Sequence, residues 1–242
     1  QLSQKPNVET YLESPLDSNQ VLEFGFENVC IATGSSWRAD GVSRQHVVPI
    51  LNDNSINLYT PDDIMNDKLP TGKVVIYDDD HYYMGGVIAE KLIEKGCDVT
   101  LLTPCAYVSE WSINTLEQAE IQKRLIEMGV EIELNRGLVS ISNSKLISNC
   151  IYTQNEKEIE TDNLVMVASR KPQDQLYKDL LLKKTIWNDA GITSVKLIGD
   201  ANAPGPIAWA TYAGHRYARE LDAEDIGDNL PFRREVTNLA FN

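Results

Sequence analysis

The stretch 73–103 constrains the fold of this chain more than any other part of the sequence. Residues 74–77 form a short, β-branched apolar run, which is typical of a buried parallel strand. Apolar residues at helical spacing follow over 85–94, and Gly96 allows the positive φ with which many helices end. Residues 99–102 read as a second buried strand. Strand, helix and strand within about thirty residues predict one right-handed βαβ unit and therefore an α/β fold.

The turn between this strand and this helix lacks the glycines of a dinucleotide site. Such a site has the pattern G-x-G-x-x-G, which lets the backbone approach the pyrophosphate. Counted from the strand, the three glycine positions hold Asp78, Asp80 and Tyr83. Counted back from the helix, they hold Asp80, Tyr82 and Gly85. Both registers place carboxylates where phosphates would lie, so we predict that the unit binds neither NADH nor NADPH. A divergent site that still binds a nucleotide is the alternative.

The charge balance argues against two classes of partner. Asp and Glu number 36 against 22 Lys and Arg, which gives a net charge of −14. Nucleic acids and anionic membrane surfaces both require a basic protein face. We therefore expect neither partner.

The cysteines indicate no metal centre. Cys30, Cys97, Cys105 and Cys150 are scattered, without a C-x-x-C pattern and without a neighbouring histidine. Because most of them lie in or beside predicted strands, we interpret them as reduced thiols of a cytoplasmic protein. No apolar run reaches membrane-spanning length, and no signal peptide is visible. Since the chain starts at Gln1 and not at Met, we expect a fragment or a processed product.

His81 stands beside the three carboxylates of residues 78–80. Together these side chains could ligate a cation. Metal ligands, however, need a convergent spacing that this run does not supply. The interpretation that we favour is a solvated acidic turn.

A second pair of strands ends in small or acidic residues. Residues 26–32 lead into Thr33-Gly34, and residues 195–198 lead into Gly199-Asp200. One ligand can contact both turns only if the two strands share a sheet. We therefore predict one lobe from residues 1–70 and 187–242, interrupted by a central α/β domain over 71–186.

The rest of the chain predicts conventional elements. They are a strand over 8–12, a helix starting at Thr60, an amphipathic helix over 113–128, strands of a meander or hairpins over 130–134, 138–141, 145–153 and 158–160, and a buried strand over 163–169. A last helix over 207–221 is predicted to bury a stripe that includes Ile207, Thr211, Gly214, Ala218 and Leu221.

Three segments resemble one family of enzymes. The segments are YDDDHYYMGGVIAEKL, LIGDANAPGPIAWATYAGHRYARELD and PFRREVTNLA. They resemble the C-terminal part of the iron–sulfur flavoprotein amine dehydrogenases, the family of the histamine, trimethylamine and dimethylamine enzymes. The resemblance implies an N-terminally truncated, Rossmann-like flavoprotein fold with two dinucleotide-binding-like domains. The outer lobe would be an incomplete ADP/FAD-binding-like domain, and the inserted central domain would be NAD(P)-binding-like with a degenerate glycine loop.

The resemblance also implies a function. Such an enzyme oxidises an amine by deamination or demethylation, and its electrons pass through FMN and a [4Fe–4S] cluster to a protein acceptor. FMN and the cluster would lie in an N-terminal part that is absent here, so this chain would hold no catalytic residue and would be inactive by itself. ADP would be a structural ligand, and NAD(P) is not expected. The implied partners are the rest of the polypeptide, a second copy in a homodimer, and an acceptor resembling electron-transfer flavoprotein.

Six residues are the predicted cofactor-binding set: Ala32, Thr33, Gly34, Gly199, Asp200 and Ile207. Gly199-Asp200 matches a motif that meets the cofactor in flavin-binding relatives, and Ile207 begins a helix whose N-terminus can attract an anion. Because it is negative, Asp200 is expected to face ribose rather than phosphate. The alternatives left open are a local turn for Asp200 and close strand packing for Thr33 and Gly34.

Two further functions remain open. One is an NAD(P)H-dependent flavin oxidoreductase domain of the dienoyl-CoA reductase type. The other is a structural module for dimerisation. The missing glycines argue against the first, and adenine-nucleotide binding would argue against the second.

Overall fold

The computed structural model of this chain describes residues 5–221 and 223. Arg233 and Arg234, which belong to the third segment of the resemblance, lie outside the described residues. The chain divides into two compact units. The first contains the described residues of Gln1–Ala32 and Gln175–Asn242, and the second is Thr33–Asp174.

Six α-helices and thirteen strands lie in the part of the chain that the structure describes. The helices are α1 (Ser18–Phe24), α2 (Pro61–Met65), α3 (Met84–Glu94), α4 (Gln118–Glu127), α5 (Gln175–Leu182) and α6 (Ile207–Glu220). The strands are β1 (Asn28–Ile31), β2 (Ser35–Trp37), β3 (Leu51–Asn52), β4 (Asn57–Tyr59), β5 (Lys73–Asp78), β6 (Asp98–Leu102), β7 (Glu131–Glu133), β8 (Arg136–Ser142), β9 (Lys145–Cys150), β10 (Glu156–Glu160), β11 (Asn163–Val167), β12 (Arg170–Pro172) and β13 (Ser194–Leu197). None of these helices is both long and apolar enough to cross a membrane.

The second unit is built on a five-stranded parallel sheet in the order β4-β11-β5-β6-β7. Helices α2, α3 and α4 cover one face, where Ile76 of β5 packs in a core with Ile88 of α3 and Leu125 of α4. A second sheet, in the order β10-β9-β8-β3, covers the other face, where Tyr77 packs in a core with Leu138 of β8. Successive residues of β5 therefore point into two different cores, which explains its uninterrupted apolar run.

The predicted βαβ unit is present as β5, α3 and β6, with bounds within one residue of the expected ones. Gly96 has the expected positive φ, at +84°. The expected start of α2 is also present, because Thr60 and Asp63 each accept a hydrogen bond from the other's backbone N–H. The helix ends at Met65.

The first unit contains a two-stranded parallel sheet. Strand β1 pairs with β13, and Ile31 lies opposite Leu197. Helices α1 and α5 contribute Val21 and Leu180 to a core that also contains Trp187. The indole Nε1 of Trp187 donates to the carbonyl of Leu180 at 2.9 Å, which fixes α5 in this core.

The two units do not divide where the sequence predicts. The predicted boundaries follow residues 70 and 186, whereas the compact units divide after residues 32 and 174. Residues 33–70 join the second unit because β4 extends its parallel sheet and β3 pairs in parallel with β8 at the edge of the second sheet. Helix α5, which the sequence analysis does not anticipate, joins the first unit by packing on α1 and β13.

Four predicted elements differ from the structure. Residues 8–12, all of which the structure describes, form no strand. The predicted helix over 113–128 is interrupted at Leu116, whose φ is +64°, between a 3₁₀ helix at Glu110–Thr115 and α4. The strand predicted over 130–134 forms as β7 but does not belong to the meander, because it pairs with β6 in the parallel sheet.

The fourth difference concerns α6. None of the residues of this helix, all of which the structure describes, is buried. Ile207 is 84% exposed, so the prediction of a buried stripe is wrong. Periodicity identifies the helix correctly but does not say which surface covers its apolar face.

Candidate functional site

The strands of the predicted ADP site are neighbours in the first unit. The backbone N–H of Ile198 donates to the carbonyl of Ile31 at 3.0 Å, which continues the ladder of β1 and β13 to their carboxyl ends. Ala32 and Gly199 therefore leave the sheet at the same edge. In open α/β sheets this edge is where ligands bind.

Gly199 and Asp200 begin a 3₁₀ turn between β13 and α6. Gly199 has φ +59°, and a Cβ there would lie 3.6 Å from the Cβ of Ala210. The Oδ1 atom of Asp200 accepts the backbone N–H of Gly205 at 3.2 Å. This bond is the local role that the sequence left open, and the contact of Asp200 with ribose stays a prediction.

The N-terminus of α6 has no capping side chain. Pro206 occupies the N-cap and makes no side-chain hydrogen bond to the helix. The indole of Trp209 lies over Gly205, where a Cβ would come within 2.2 Å of the ring. A side chain at this position would therefore displace the exposed ring of Trp209. The first N–H groups of α6 receive no side-chain acceptor from the N-cap.

Thr33 and Gly34 lie in the second unit. The hydroxyl of Thr33 donates to the carbonyl of Gln173, and the N–H of Gln173 donates to the carbonyl of Gly34 at 2.9 Å. Gly34 has φ +79°, with nothing within 4 Å of the position of a Cβ. The hydroxyl of Thr33 thus has a structural bond, and the proposed role of both residues in cofactor binding stays a prediction.

The acidic turn between β5 and α3 is buried, so the prediction of a solvated turn is wrong. Asp78 and Asp79 are fully buried and His81 is only 6% exposed. Segments distant in sequence cover them. Arg44 Nε donates to the carbonyl of Asp79 at 3.2 Å, and the backbone N–H of Trp111 donates to the carbonyl of His81 at 3.0 Å.

The carboxylate of Asp78 lies inside the turn. Its Oδ1 accepts the backbone N–H groups of Asp80 at 3.2 Å and His81 at 3.0 Å. Its Oδ2 has no hydrogen-bond partner among the described residues. A Cβ on Gly85, in the first turn of α3, would lie 2.4 Å from this Oδ2. Burial raises the pKa of Asp78 to about 6.

The buried carboxylate of Asp79 contacts a histidine side chain and a backbone N–H group. Its Oδ1 lies 2.9 Å from His81 Nε2, and its Oδ2 accepts the N–H of Gln45 at 2.9 Å. Burial alone would raise the pKa of Asp79, but hydrogen bonds from His81, Ser43 and Gln45 lower it below the ordinary value. Asp79 is therefore held as a carboxylate.

His81 also contacts Cys105, with 3.2 Å between Nδ1 and Sγ. Sequence spacing cannot reveal this pair, because it forms where the loops after two adjacent parallel strands meet. Burial, together with the neighbouring Glu110, raises the pKa of the Cys105 thiol to about 12. The arrangement of Cys105, His81 and Asp79 therefore does not activate a nucleophile, which requires a thiolate. Within residues 5–221 and 223, no group of three or more possible ligands converges on a metal position.

Two arginines for which the sequence alone predicts no role lie near the turn. The guanidinium of Arg44 stacks 5.2 Å above the ring of Trp111, and that of Arg170 stacks 5.2 Å above the ring of Trp37. Burial raises the pKa of Asp80, while the charges of Arg170 and Arg44 oppose that rise. No sequence signal links Asp80 with Arg44 and Arg170, because the three residues come from three separate segments.

The turn occupies the position at which dinucleotides bind in doubly wound sheets. The chain passes from β5 to β6 on one side, while β11 pairs with β5 on the other, so the strand order reverses at β5. At this position the N–H groups of Asp80 and His81 point at the carboxylate of Asp78. The turn therefore leaves these two donors no free capacity for a phosphate.

Comparison with known proteins gives consistent matches. The family model of the OYE-like second alpha/beta domain matches residues 59–165, within the second unit. The solved structure of histamine dehydrogenase from Rhizobium sp. 4-9 is 58% identical, with a TM-score of 0.94 over 98% of this chain and 37% of that one. The amine oxidase HisD from Pseudomonas geniculata N1, which acts on 6-hydroxypseudooxynicotine, is 37% identical, with a TM-score of 0.84 over 89% of this chain and 32% of that one.

Dimethylamine dehydrogenase from Hyphomicrobium sp. (strain x) is 32% identical over 97% of this chain and 35% of its own length. This chain thus spans 32–37% of the length of these three relatives. By name, all three relatives are dehydrogenases or oxidases of amines. The matches confirm the family resemblance and an α/β fold with parallel sheets.

Proposed function

Because this chain fits the amine dehydrogenase family, we propose that it is the ADP/dinucleotide-binding-like region of an amine dehydrogenase. The likeness to histamine dehydrogenase over 98% of the chain is the observation that supports this most strongly. The whole enzyme would oxidise an amine by deamination or demethylation and pass electrons to a protein acceptor. FMN and a [4Fe–4S] cluster would supply the redox chemistry from residues outside this chain, so the chain by itself would be inactive.

We propose that ADP binds at the carboxyl ends of β1 and β13. Ala32 and Gly199 would let the backbone approach the ligand closely, since neither has a bulky side chain. Phosphate would lie toward Ile207 at the N-terminus of α6, where N–H groups and the helix dipole favour an anion. Asp200 would contact ribose, because its own charge would repel phosphate. Thr33 and Gly34 remain predicted ligands.

We also propose that the second unit binds no NAD(P). The carboxylate of Asp78 accepts the backbone N–H groups of Asp80 and His81, and the fully buried carboxylate of Asp79 lies beside it. A pyrophosphate at this turn would lose those donors and would meet two like charges. Reading the unit as a working NAD(P)H-dependent reductase domain is therefore the weaker alternative.

The proposed partners follow the family. They are the rest of the same polypeptide, a second copy in a homodimer, and an acceptor resembling electron-transfer flavoprotein. The net charge of −14 would favour a partner with a basic contact surface.

The test compares the complete protein that contains this chain with the 242-residue chain by itself. Histamine, dimethylamine and trimethylamine are each supplied, and reduction of an artificial electron acceptor is followed. We expect amine-dependent reduction by the complete protein and none by the isolated chain. NADH-dependent reduction by the isolated chain would instead favour the reductase alternative. A complete protein with neither activity and no bound nucleotide would favour a structural module.

A further inference from the structure

The first turn of α3 presents an anion-binding position that no capping side chain fills. Helix α3 has eleven residues, and its N-cap residue Tyr83 makes no side-chain hydrogen bond to it. The positive end of the helix dipole and the unpaired N–H groups favour an anion here. The buried Oδ2 of Asp78 points at this turn, 2.4 Å from where a Cβ on Gly85 would lie.

The turn is shaped around this carboxylate. His81 adopts φ +66°, a left-handed conformation that L-residues with a side chain rarely adopt. The N–H of His81 donates to Asp78 Oδ1 at 3.0 Å, and the N–H of Asp80 donates to the same oxygen at 3.2 Å. Two adjacent N–H donors pointing at one oxygen are the arrangement by which backbone binds phosphate.

The neighbouring charges are matched by their own partners. Asp79 contacts His81 Nε2 at 2.9 Å, and Arg44 and Arg170 lie close to Asp80. The Asp78 carboxylate accepts its hydrogen bonds from backbone N–H groups, and nearby His81 also acts to lower the pKa of this carboxylate. These interactions offset only part of the cost of burying the carboxylate, because burial still raises the pKa of Asp78.

From these contacts we propose that the Asp78 carboxylate is an internal oxyanion ligand, bound where a dinucleotide fold binds phosphate. Removing this side chain uncovers a site for a small oxyanion such as formate or inorganic phosphate. The inference deepens the proposal that the second unit holds no NAD(P), because the chain supplies the anion itself. It also explains the glycine at position 85, since a larger residue would collide with the internal ligand.

The test is chemical rescue of Asp78→Gly in the full chain. Tm is measured in sodium formate and in sodium phosphate, each against sodium chloride at equal ionic strength. We expect either oxyanion to raise the Tm of this variant by about 3–6 °C at ten times its dissociation constant. The wild-type chain should show no rise beyond that in chloride.

Two control variants separate a specific site from a general salt effect. Asp78→Asn keeps the side chain in place and should not respond. Asp98→Gly removes an exposed carboxylate at the start of β6 and should not respond either. If Asp78→Gly does not fold in chloride, Asp78→Ala replaces it with the same expected rise.

Absence of an oxyanion-specific rise, or an equal rise in Asp78→Asn, would overturn the inference. Binding of NADH to the wild-type chain, measured by calorimetry, would instead contradict the proposal on NAD(P). The two results are independent, because the Tm measurement tests the turn without the Asp78 side chain, whereas the NADH titration tests the turn with that side chain in place.

Discussion

The buried carboxyl of Asp78 should make the stability of this chain depend on pH in a direction opposite to that of most carboxylates. The perturbation that isolates this effect is Asp78→Asn. An asparagine Oδ1 can still accept the N–H groups of Asp80 and His81, while the ionisable group is lost. The variant and the wild-type chain then differ mainly in the titration of one side chain.

The magnitude follows from the pKa of Asp78, which burial raises from 3.8 to about 6. A raised carboxyl pKa means that the folded state binds the proton more tightly than the unfolded state. The stability that this proton contributes is fully present below about pH 4 and is lost as the pH rises through about 6. A tenfold difference in proton affinity corresponds to about 1.4 kcal/mol, so the loss is about 3 kcal/mol.

The assay is urea unfolding of both chains between about pH 3 and about pH 8, the range that brackets both pKa values. The asparagine amide would occupy the position of Oδ2, which lacks a partner, and this costs about 1–3 kcal/mol at every pH. The informative quantity is therefore the change with pH in the difference between the two free energies of unfolding. We expect that difference to move by about 3 kcal/mol in favour of Asp78→Asn as the pH rises.

The control is Asp98→Asn, in which the carboxylate lost is exposed. A difference between the wild-type chain and Asp78→Asn that stays constant across the whole range would refute the reasoning. It would mean that the two N–H donors and the dipole of α3 fully offset the burial of the carboxylate.

Three further predictions concern single residues. Gly85→Ala should lower the free energy of unfolding by about 1–3 kcal/mol, because its Cβ would lie 2.4 Å from a buried carboxylate oxygen. Gly86→Ala is the control and should not lower it, because its Cβ would meet other atoms only at 3.4 Å. Equal effects of the two substitutions in urea unfolding would contradict this prediction. Iodoacetamide near pH 8 should label Cys150 about fiftyfold faster than Cys105, because hydrogen bonds from Thr153 and the backbone lower the pKa of the Cys150 thiol to about 7 while burial raises that of Cys105 to about 12; similar rates by mass spectrometry would refute it. Asp200→Ala in the complete protein should reduce the ADP that copurifies, measured after acid release, and an unchanged ADP content would count against the proposed contact with ribose.

The local elements of the second unit could be predicted from the sequence because their signals are local. The apolar run of β5, the spacing in α3 and the glycine at 96 lie within one short stretch, and each describes its own element. The start of α2 is likewise encoded by Thr60 and Asp63. The pairing of β1 with β13 was expected for a different reason, namely that one ligand would need both turns.

The candidate sites could be predicted only in part, because burial depends on segments far apart in sequence. The acidic turn reads as solvated from its composition, but Arg44 and Trp111 come from two other loops and cover it. The contact between His81 and Cys105 exists only because the loops after β5 and β6 meet at one sheet edge. Composition describes what a turn contains, and only the fold determines what surrounds it.

The two parallel sheets of this chain illustrate how a fold can keep its core while its ligand position changes. In the second unit, Ile76, Ile88 and Leu101 are fully buried, so the βαβ framework is required for stability whether or not a nucleotide binds. The turn at its carboxyl edge is also buried, but its buried groups are polar, and there the carboxylate of Asp78 takes the backbone donors. In the first unit, Gly199 has positive φ and the N-cap of α6 supplies no side-chain acceptor. Nucleotide binding is therefore expected at the first edge and not at the second, although both edges are carboxyl ends of parallel strands.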